Sequence, residues 1–449
     1  MEKFDLILKD AMVAIPHPKS SSTDVGIKLE QVDIGVLNGK ISKLGSCFKD
    51  HADSIISLKG LHCLPGVIDS QVHFREPGLT HKEDINTGTK GALLGGVTSI
   101  FEMPNTLPPT TTREALNEKM KSADQKAWSH YAFFAGASND NIESLKDLET
   151  VKACSGIKVF VGSSTGNLLV EEDAKIEAIL KSTNRRVIFH SEDEFILRKN
   201  KHIATESKDV RNHCVWRSVE SALSSTQRIL NLAEKTNRQV HILHITSEEE
   251  VHFLKNKKQW ATMEILPQHL TLSAPECYER LGTLAQQNPP IREKRHLEAL
   301  WKAVVDGTFD VLGSDHAPHT LEEKMKEYPQ SPSGMPGVQT LVPIMLDHVH
   351  NKKISLERFV ELVGEGPRKV FGCINKGRIQ VGLDADFTIV DLKKTQTIEN
   401  KWIASRCGWT PFDGKVVTGW PWATILLGNT AMRENEIILP PQGQSVDFK

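Results

Sequence analysis

The sequence predicts an α/β fold: a (β/α)8 barrel with a small β-sandwich contributed by both ends of the chain. Through the middle of the chain, eight short apolar runs recur with helical segments between them. The first sixty residues and the stretch from about Gly377 alternate instead in short strand-like runs. The length of 449 residues exceeds one small domain and suits a large α/β domain with an accessory one.

Taken in order, the N-terminal runs are Leu6 to Ile15, Gln31 to Leu37, Lys40 to Leu44 and Ser54 to Leu58. Asn38-Gly39 between two of them reads as a tight hairpin turn. The barrel runs are Val67 to His73, Val97 to Met103, His130 to Phe134, Ile157 to Val161, Val187 to His190, Val240 to Ile245, Thr262 to Leu266 and Phe309 to Leu312. Helical stretches between them include Glu171 to Lys181, Val215 to Glu234 and Ser247 to Lys257. The last opens with Ser247-Glu248-Glu249-Glu250, a capping-box pattern. Repeated strand–helix alternation is the signature of a parallel barrel. The segment His319 to Gly337, rich in Glu, Lys, Pro and Ser, reads as a flexible loop and a candidate lid. At the C-terminal end, Gly377 to Gly382, Ala385 to Asp391, Gly414 to Gly419 and Trp422 to Leu427 read as strands. The expected division is 1–64 and 377–449 for the two parts of the sandwich and 65–376 for the barrel.

Lys and Arg number 55 against 57 Asp and Glu, which gives no electrostatic reason to expect nucleic acid or an anionic membrane as a partner. The seven cysteines are scattered and never form a Cys-x-x-Cys pair, which argues against a disulfide framework or a thiolate zinc site. No run approaches the ~20 apolar residues of a membrane span, and the start lacks the pattern of a signal peptide. The expectation is a cytoplasmic protein with a small-molecule substrate, forming a homo-oligomer, a dimer.

Chemistry-bearing residues cluster where the barrel strands end. Run one ends in Gln71 and His73, and run two in Met103-Pro104-Asn105-Thr106. Lys158 lies in run four; His190, Glu192 and Asp193 close run five; run six holds His241 and His244. Run eight ends in Ser314-Asp315-His316-Ala317-Pro318-His319. Barrel enzymes carry catalytic groups at these ends, and converging imidazoles and carboxylates suit Zn²⁺ or a similar divalent ion. A lone histidine near a strand is more often structural, so the weight rests on the joint pattern. His241 and His244 stand an odd number of residues apart, which on a strand puts them on opposite faces. The reading places His244 inside the barrel and His241 against the helices. Asp315, directly after Val311-Leu312-Gly313, needs a cation or hydrogen bonds.

These residues resemble the amidohydrolase superfamily, and within it the dihydroorotases. The resemblance is carried by Pro65-Gly66-Val67-Ile68-Asp69-Ser70-Gln71-Val72-His73-Phe74-Arg75-Glu76-Pro77-Gly78, Met103 to Thr106, Asn288-Pro289-Pro290-Ile291-Arg292, Ser314 to His319, Gly382 to Thr388 and Thr410 to Gly414. It covers nearly the whole chain. It implies a distorted (β/α)8 TIM barrel plus a β-sandwich made from both termini. It further implies one or two Zn²⁺ ions held by His73, Lys158, His190, His244 and Asp315, with Lys158 carboxylated on its side-chain nitrogen as the bridge. Asp315 would be the general base and acid. Arg75, Asn105 and His319 would bind the substrate's carboxylate, and Asn288 the ring. The implied activity is the interconversion of (S)-dihydroorotate and N-carbamoyl-L-aspartate in pyrimidine biosynthesis.

Two positions depart from the family. Gln71 stands where the family has the first histidine of His-x-His, and an amide oxygen is a weaker zinc ligand than imidazole. Gln268 stands in Pro267-Gln268-His269-Leu270, where the family often has two histidines. Opening an unactivated amide needs a strong nucleophile, which water held between two metals supplies near neutral pH. Rival readings are an allantoinase or dihydropyrimidinase, whose substrates lack a ring carboxylate, and a non-catalytic assembly subunit, which Gln71 raises.

Overall fold

The two alternating ends of the chain meet in one sheet. In the computed structural model, which describes residues 3–19, 25–47, 51–124, 126–164 and 168–449, the N-terminal stretch forms β1 (Lys3–Pro16), β2 (Ile27–Leu37), β3 (Lys40–Gly45), β4 (His51–Ser57) and β5 (His62–Pro65). Asn38 and Gly39 both have positive φ, 51° and 71°, which suits the two-residue turn expected between β2 and β3. The barrel strands follow as β6 (Val67–Val72), β7 (Val97–Glu102), β8 (His130–Gly136), β9 (Cys154–Phe160), β10 (Val187–His190), β11 (Val240–Ile242), β12 (Ala261–Ile265) and β13 (Val311–Leu312). The C-terminal strands are β14 (Phe387–Thr397), β15 (Val416–Leu426), β16 (Asn429–Arg433) and β17 (Glu436–Ile437). The accessory sheet runs β17-β16-β15-β14-β5-β1-β2-β3, with β4 beside β1. Its apolar core joins Leu6, Val13, Ile34 and Val36 from one end to Phe387, Ile389 and Ile425 from the other.

The seam between the two ends is β5 against β14, and β5 was not anticipated: it has only four residues. Gly377 to Gly382, expected as a strand, is a turn. Gly377 and Gly382 have φ of 83° and 90°, and Arg378 turns back to pair with Glu365.

The barrel strands lie side by side in chain order, all parallel. The ring is joined at its two ends by a bridge between Val72 and His316, with His73 N–H donating to His316 O at 2.7 Å. Strands buried on both faces read as continuous apolar runs, which is why all eight were legible. Outward residues such as Val187, Phe189, Val240 and Ile242 pack in one core with helical Ile176, Ile179 and Ile229. The expected helices form at Asp173–Ser182, Val219–Thr236 and Glu248–Leu254, the last with the Ser247/Glu250 capping box in place.

The lower half of the barrel interior is apolar apart from His241. Ile68, Phe101, Phe134, Ile188 and Val311 meet Val370 and Phe371 of the helix Gly366–Phe371, and Phe448 packs against them. Polar chemistry is thereby confined to the opposite, C-terminal end. The segment 319–337, expected to be flexible, is instead pinned. Thr320 and Glu323 form a second capping box, and buried Lys324 donates to the carbonyls of Gln286 and Pro332, both at 2.9 Å. Among the described residues no helix is long and apolar enough to cross a membrane.

Candidate functional site

One cavity at the C-terminal mouth of the barrel is lined by Gln71, His73, Arg75, Asn105, Lys158, His190, His244, Asn288 and Asp315, with Phe160, Ser164, Ala317, Ser333 and Gly334 completing the wall. Three of these residues reach it through strained backbone. Arg75, His244 and Asp315 have φ of 63°, 35° and 44°, in the left-handed region that non-glycine residues avoid at a cost. The strain explains where the His241 reading fails. His241 is level with Ile188, which is level with Lys158, so all three face the barrel interior. His241 lies low there, with its ring 5.6 Å from that of Phe371 and Nδ1 2.8 Å from Thr262 Oγ1. The strand ends at Ile242, alternation stops, and the left-handed turn at His244 swings the second imidazole inward as well.

Hydrogen bonds fix which ring nitrogen is free. His73 Nδ1 lies 2.7 Å from Asn105 Oδ1 and therefore carries the proton, which leaves the lone pair of Nε2 facing Asp315 Oδ1 at 3.0 Å. His190 Nε2 donates to Glu192 Oε2 at 3.0 Å, which leaves the lone pair of Nδ1 toward His244 Nε2 at 3.1 Å. Glu192 is itself gripped by Arg217 Nε, at 3.1 and 3.0 Å to its two oxygens. Burial lowers the pKa of His73, His190 and His244 below the usual imidazole value, so the rings stay neutral.

Lys158 is fully buried beside these rings. Burial lowers its amine to about 7, against the opposing pull of Asp315 and Glu264. It has no hydrogen-bond or ion-pair partner among the described residues; its ammonium lies 4.5 Å from the centre of the Phe160 ring. Burial raises the pKa of Asp315, but its close neighbours His73, His244 and Lys158 outweigh it and hold the group well below the usual carboxylate range. Gln71 donates from Nε2 to Asp315 Oδ1 at 3.1 Å, and its Oε1 is buried without a partner. Beneath lie two carboxyls the sequence did not single out. Burial pushes Asp69 up to about 7 and Glu264 well above its usual value. Asp69 Oδ1 accepts from Ser314 N–H at 2.9 Å and so ties β6 to the Asp315 turn. Gln268 Nε2 supports the same turn by donating to Ser314 O at 2.8 Å.

The other expected contacts divide. Arg75 is 1% exposed, donates from Nε to Pro318 O at 3.2 Å and leaves Nη1 without a partner. Asn288 is on the cavity wall, and His213 Nε2 donates to its Oδ1 at 2.9 Å. His319 is not on the wall. It stands behind, with Nε2 3.1 Å from Ser333 O and 3.3 Å from Arg75 Nη2, and Nδ1 taking a hydrogen bond from Lys82 at 3.1 Å. Glu192 was noted as following His190, but its role as holder of that ring was missed, as were Arg217 and His213. Their contacts span 25 and 75 residues and leave no local pattern. Asp193, noted beside Glu192, instead caps the helix Glu194–Lys199.

The donor set suits a divalent metal. Two imidazole lone pairs, from His73 and His190, and one anionic carboxylate are turned inward by partners that hold the opposite ring atoms. Lys158 lines the same cavity as His73, His190, His244 and Asp315. Among the described residues no three His, Cys, Asp and Glu groups are gathered closely enough to hold an ion alone.

A parallel barrel with this mouth defines a hydrolase acting on cyclic amides. Residues 63–429 match the amidohydrolase family, to which this chain belongs. It is 34% identical over 439 residues to the dihydroorotase of Methanosarcina acetivorans, covering 95% of this chain and 93% of that one. It is 32% identical over 417 residues to the dihydroorotase of Bacillus subtilis, covering 91% and 96%. Among solved structures, the L-hydantoinase (dihydropyrimidinase) from Arthrobacter aurescens matches with a TM-score of 0.92, 29% identity and 99% of each chain covered.

Proposed function

We propose that this chain is a zinc-dependent dihydroorotase, opening the ring amide of (S)-dihydroorotate to N-carbamoyl-L-aspartate and closing it again. The observation that carries the choice of substrate is Arg75. Its Nη1 is buried and unpaired at the edge of the cavity that holds Asp315 and the imidazoles, where a ring carboxylate would find a charged, two-pronged partner. Hydantoins and dihydropyrimidines offer no such carboxylate.

In this reading His73, Lys158, His190, His244 and Asp315 would hold the metal, with Lys158 carboxylated. A divalent metal bound there supplies Lewis acidity and lowers the pKa of water. The chain's own groups do the rest. Asp315, kept anionic, takes the proton of the attacking water as the new C–O bond forms, and gives it to the ring nitrogen as the C–N bond breaks. Gln71 Nε2 aims the carboxylate by donating to its Oδ1. His213 donates to Asn288 Oδ1 and so leaves the Asn288 amide NH2 to donate to the ring. Asn105 orients His73, and the Pro318 carbonyl holds Arg75 by accepting from its Nε. A homodimer in the cytoplasm belongs to the same proposal.

The likeness in shape to the L-hydantoinase favours a second reading, a hydantoinase or dihydropyrimidinase. Steady-state rates on dihydroorotate, hydantoin, dihydrouracil and allantoin separate the two. Preference for dihydroorotate supports the first; comparable or higher kcat/KM on the uncharged rings overturns it.

A further inference from the structure

At the end of the barrel opposite the catalytic cavity, an open cleft of about 320 Å³ is framed by Arg185 and Arg186, which lead into β10, by Arg238 and Gln239, which lead into β11, and by Lys369 to Gly372. We propose that this cleft is a binding site for a small anion carrying phosphate groups, held by Arg185, Arg186 and Arg238. The inference does not depend on the proposed activity.

The three arginines line one cleft. None forms an ion pair among the described residues, whereas Lys369 on the same rim is paired with Glu365 at 3.1 Å. The nearby carboxylates of Glu149 and Asp310 act on Arg238 and Arg186 through their charge but form no ion pair with them, and their hydrogen bonds go to other groups. Glu149 accepts from the backbone N–H groups of Asn184 and Arg185, at 2.8 and 2.9 Å. Asp310 is held by Lys258 Nζ at 2.7 Å and Met263 N–H at 2.8 Å. Lys449, on the cleft wall, makes no ion pair with any of the three.

Each arginine is also locked in place by a carbonyl. Arg185 Nε donates to Glu149 O at 2.6 Å, Arg186 Nη1 to Gln239 O at 2.8 Å, and Arg238 Nη2 to Arg185 O at 3.0 Å. These bonds tie strand entries together, which is the structural work expected at this end of a barrel. They do not use up the forks. Arg185 Nη1 and Arg238 Nε are shielded from water and have no partner. Buried donors without acceptors are unfavourable, and both belong to side chains that line the cleft, where an anion would bring acceptors. Burial lowers the pKa of Arg186 and the charge of Arg238 adds to that, against the opposing pull of Asp310. A monocarboxylate has two oxygens for three forks. A phosphate has three oxygens and more charge, and guanidinium forks match it bidentately.

The test is calorimetric titration of the purified full-length chain with inorganic triphosphate, and with ATP to show whether a nucleoside adds to the contact. Arg185→Gln, Arg238→Gln and Arg75→Gln variants are titrated alongside, with folding checked by circular dichroism. The expected result is one triphosphate per chain, weakened roughly tenfold or more by either Arg185→Gln or Arg238→Gln and unchanged by Arg75→Gln, since one lost charged hydrogen bond is on that order. No saturable binding at millimolar triphosphate overturns the proposal. So does equal binding by the Arg185 and Arg238 variants, or loss of binding on Arg75→Gln. If one of the two cleft variants fails to fold, the other decides.

Discussion

The Nε2 of His190 donates to Oε2 of Glu192 at 3.0 Å, and Arg217 clamps that same carboxylate from the far side. The chain therefore spends a fully buried ion pair on orienting one imidazole. Partners of this kind set ring orientation and tune basicity, and their loss typically lowers metal affinity by about 10–100-fold. Glu192→Gln is expected to show a drop of that size in zinc affinity, measured by competition with a chromogenic chelator. Unchanged affinity would show that the pair serves packing alone.

Gln71 gives a second expectation. Its amide NH2 is bonded to Asp315 and its Oε1 has no partner, so it meets a metal with only a weak donor. Gln71→His places an imidazole there. Elemental analysis after dialysis against a weak chelator should find more metal per chain in the variant than in the parent. Equal content would contradict the view that this position limits occupancy.

For Arg75, the conservative change is the informative one. Arg75→Lys keeps the charge and carries the same left-handed backbone, but loses the fork. A charged hydrogen bond contributes about 1.5–3 kcal/mol, so kcat/KM on dihydroorotate should fall roughly 10–150-fold. The trace of activity on an uncharged ring should stay put. A parallel fall on both substrates would remove the arginine from substrate choice.

How much of this was legible beforehand depended on whether the signal was local. The eight barrel strands announced themselves, since a strand covered on both faces is apolar throughout. So did most of the cavity, where His73, Lys158, His190, His244 and Asp315 close or follow strands. Misreadings came where a local rule met a tertiary constraint. The odd spacing of His241 and His244 would separate their faces only if the strand ran through both, and it stops at Ile242. Gly377 to Gly382 has strand-like Ile379 and Val381, but the glycines turn it. Glu, Lys and Ser in 319–337 looked mobile, yet Lys324 is buried against Gln286 and Pro332. The clamp of Arg217 on Glu192 has no sequence pattern at all.

Asp386 joins the accessory sheet to the barrel and makes a pH prediction. Its carboxylate pairs with His130 Nε2 at 3.1 Å and Lys376 Nζ at 2.5 Å. Burial alone would raise its pKa, but His130 and Lys376 outweigh burial and hold it below the usual carboxylate range. The stabilisation is therefore complete above the unfolded value of about 4 and is lost as pH falls toward the folded one. Asp386→Asn should cost about 1–3 kcal/mol at pH 7, since Lys376 keeps Asp384 at 3.0 Å while His130 loses its charged partner. Its stability should also fall less steeply below about pH 4, measured by urea unfolding across pH. An unchanged slope in acid would assign the acid sensitivity to other groups.

The central claim is that this cavity opens dihydroorotate with the help of a metal. The direct measurement is ultraviolet-monitored loss of dihydroorotate by folded protein, first stripped of metal and then reconstituted with zinc. The account predicts turnover that depends on zinc and collapses in Asp315→Asn. No turnover by folded, zinc-loaded protein would contradict it, and so would turnover that survives the Asp315 substitution.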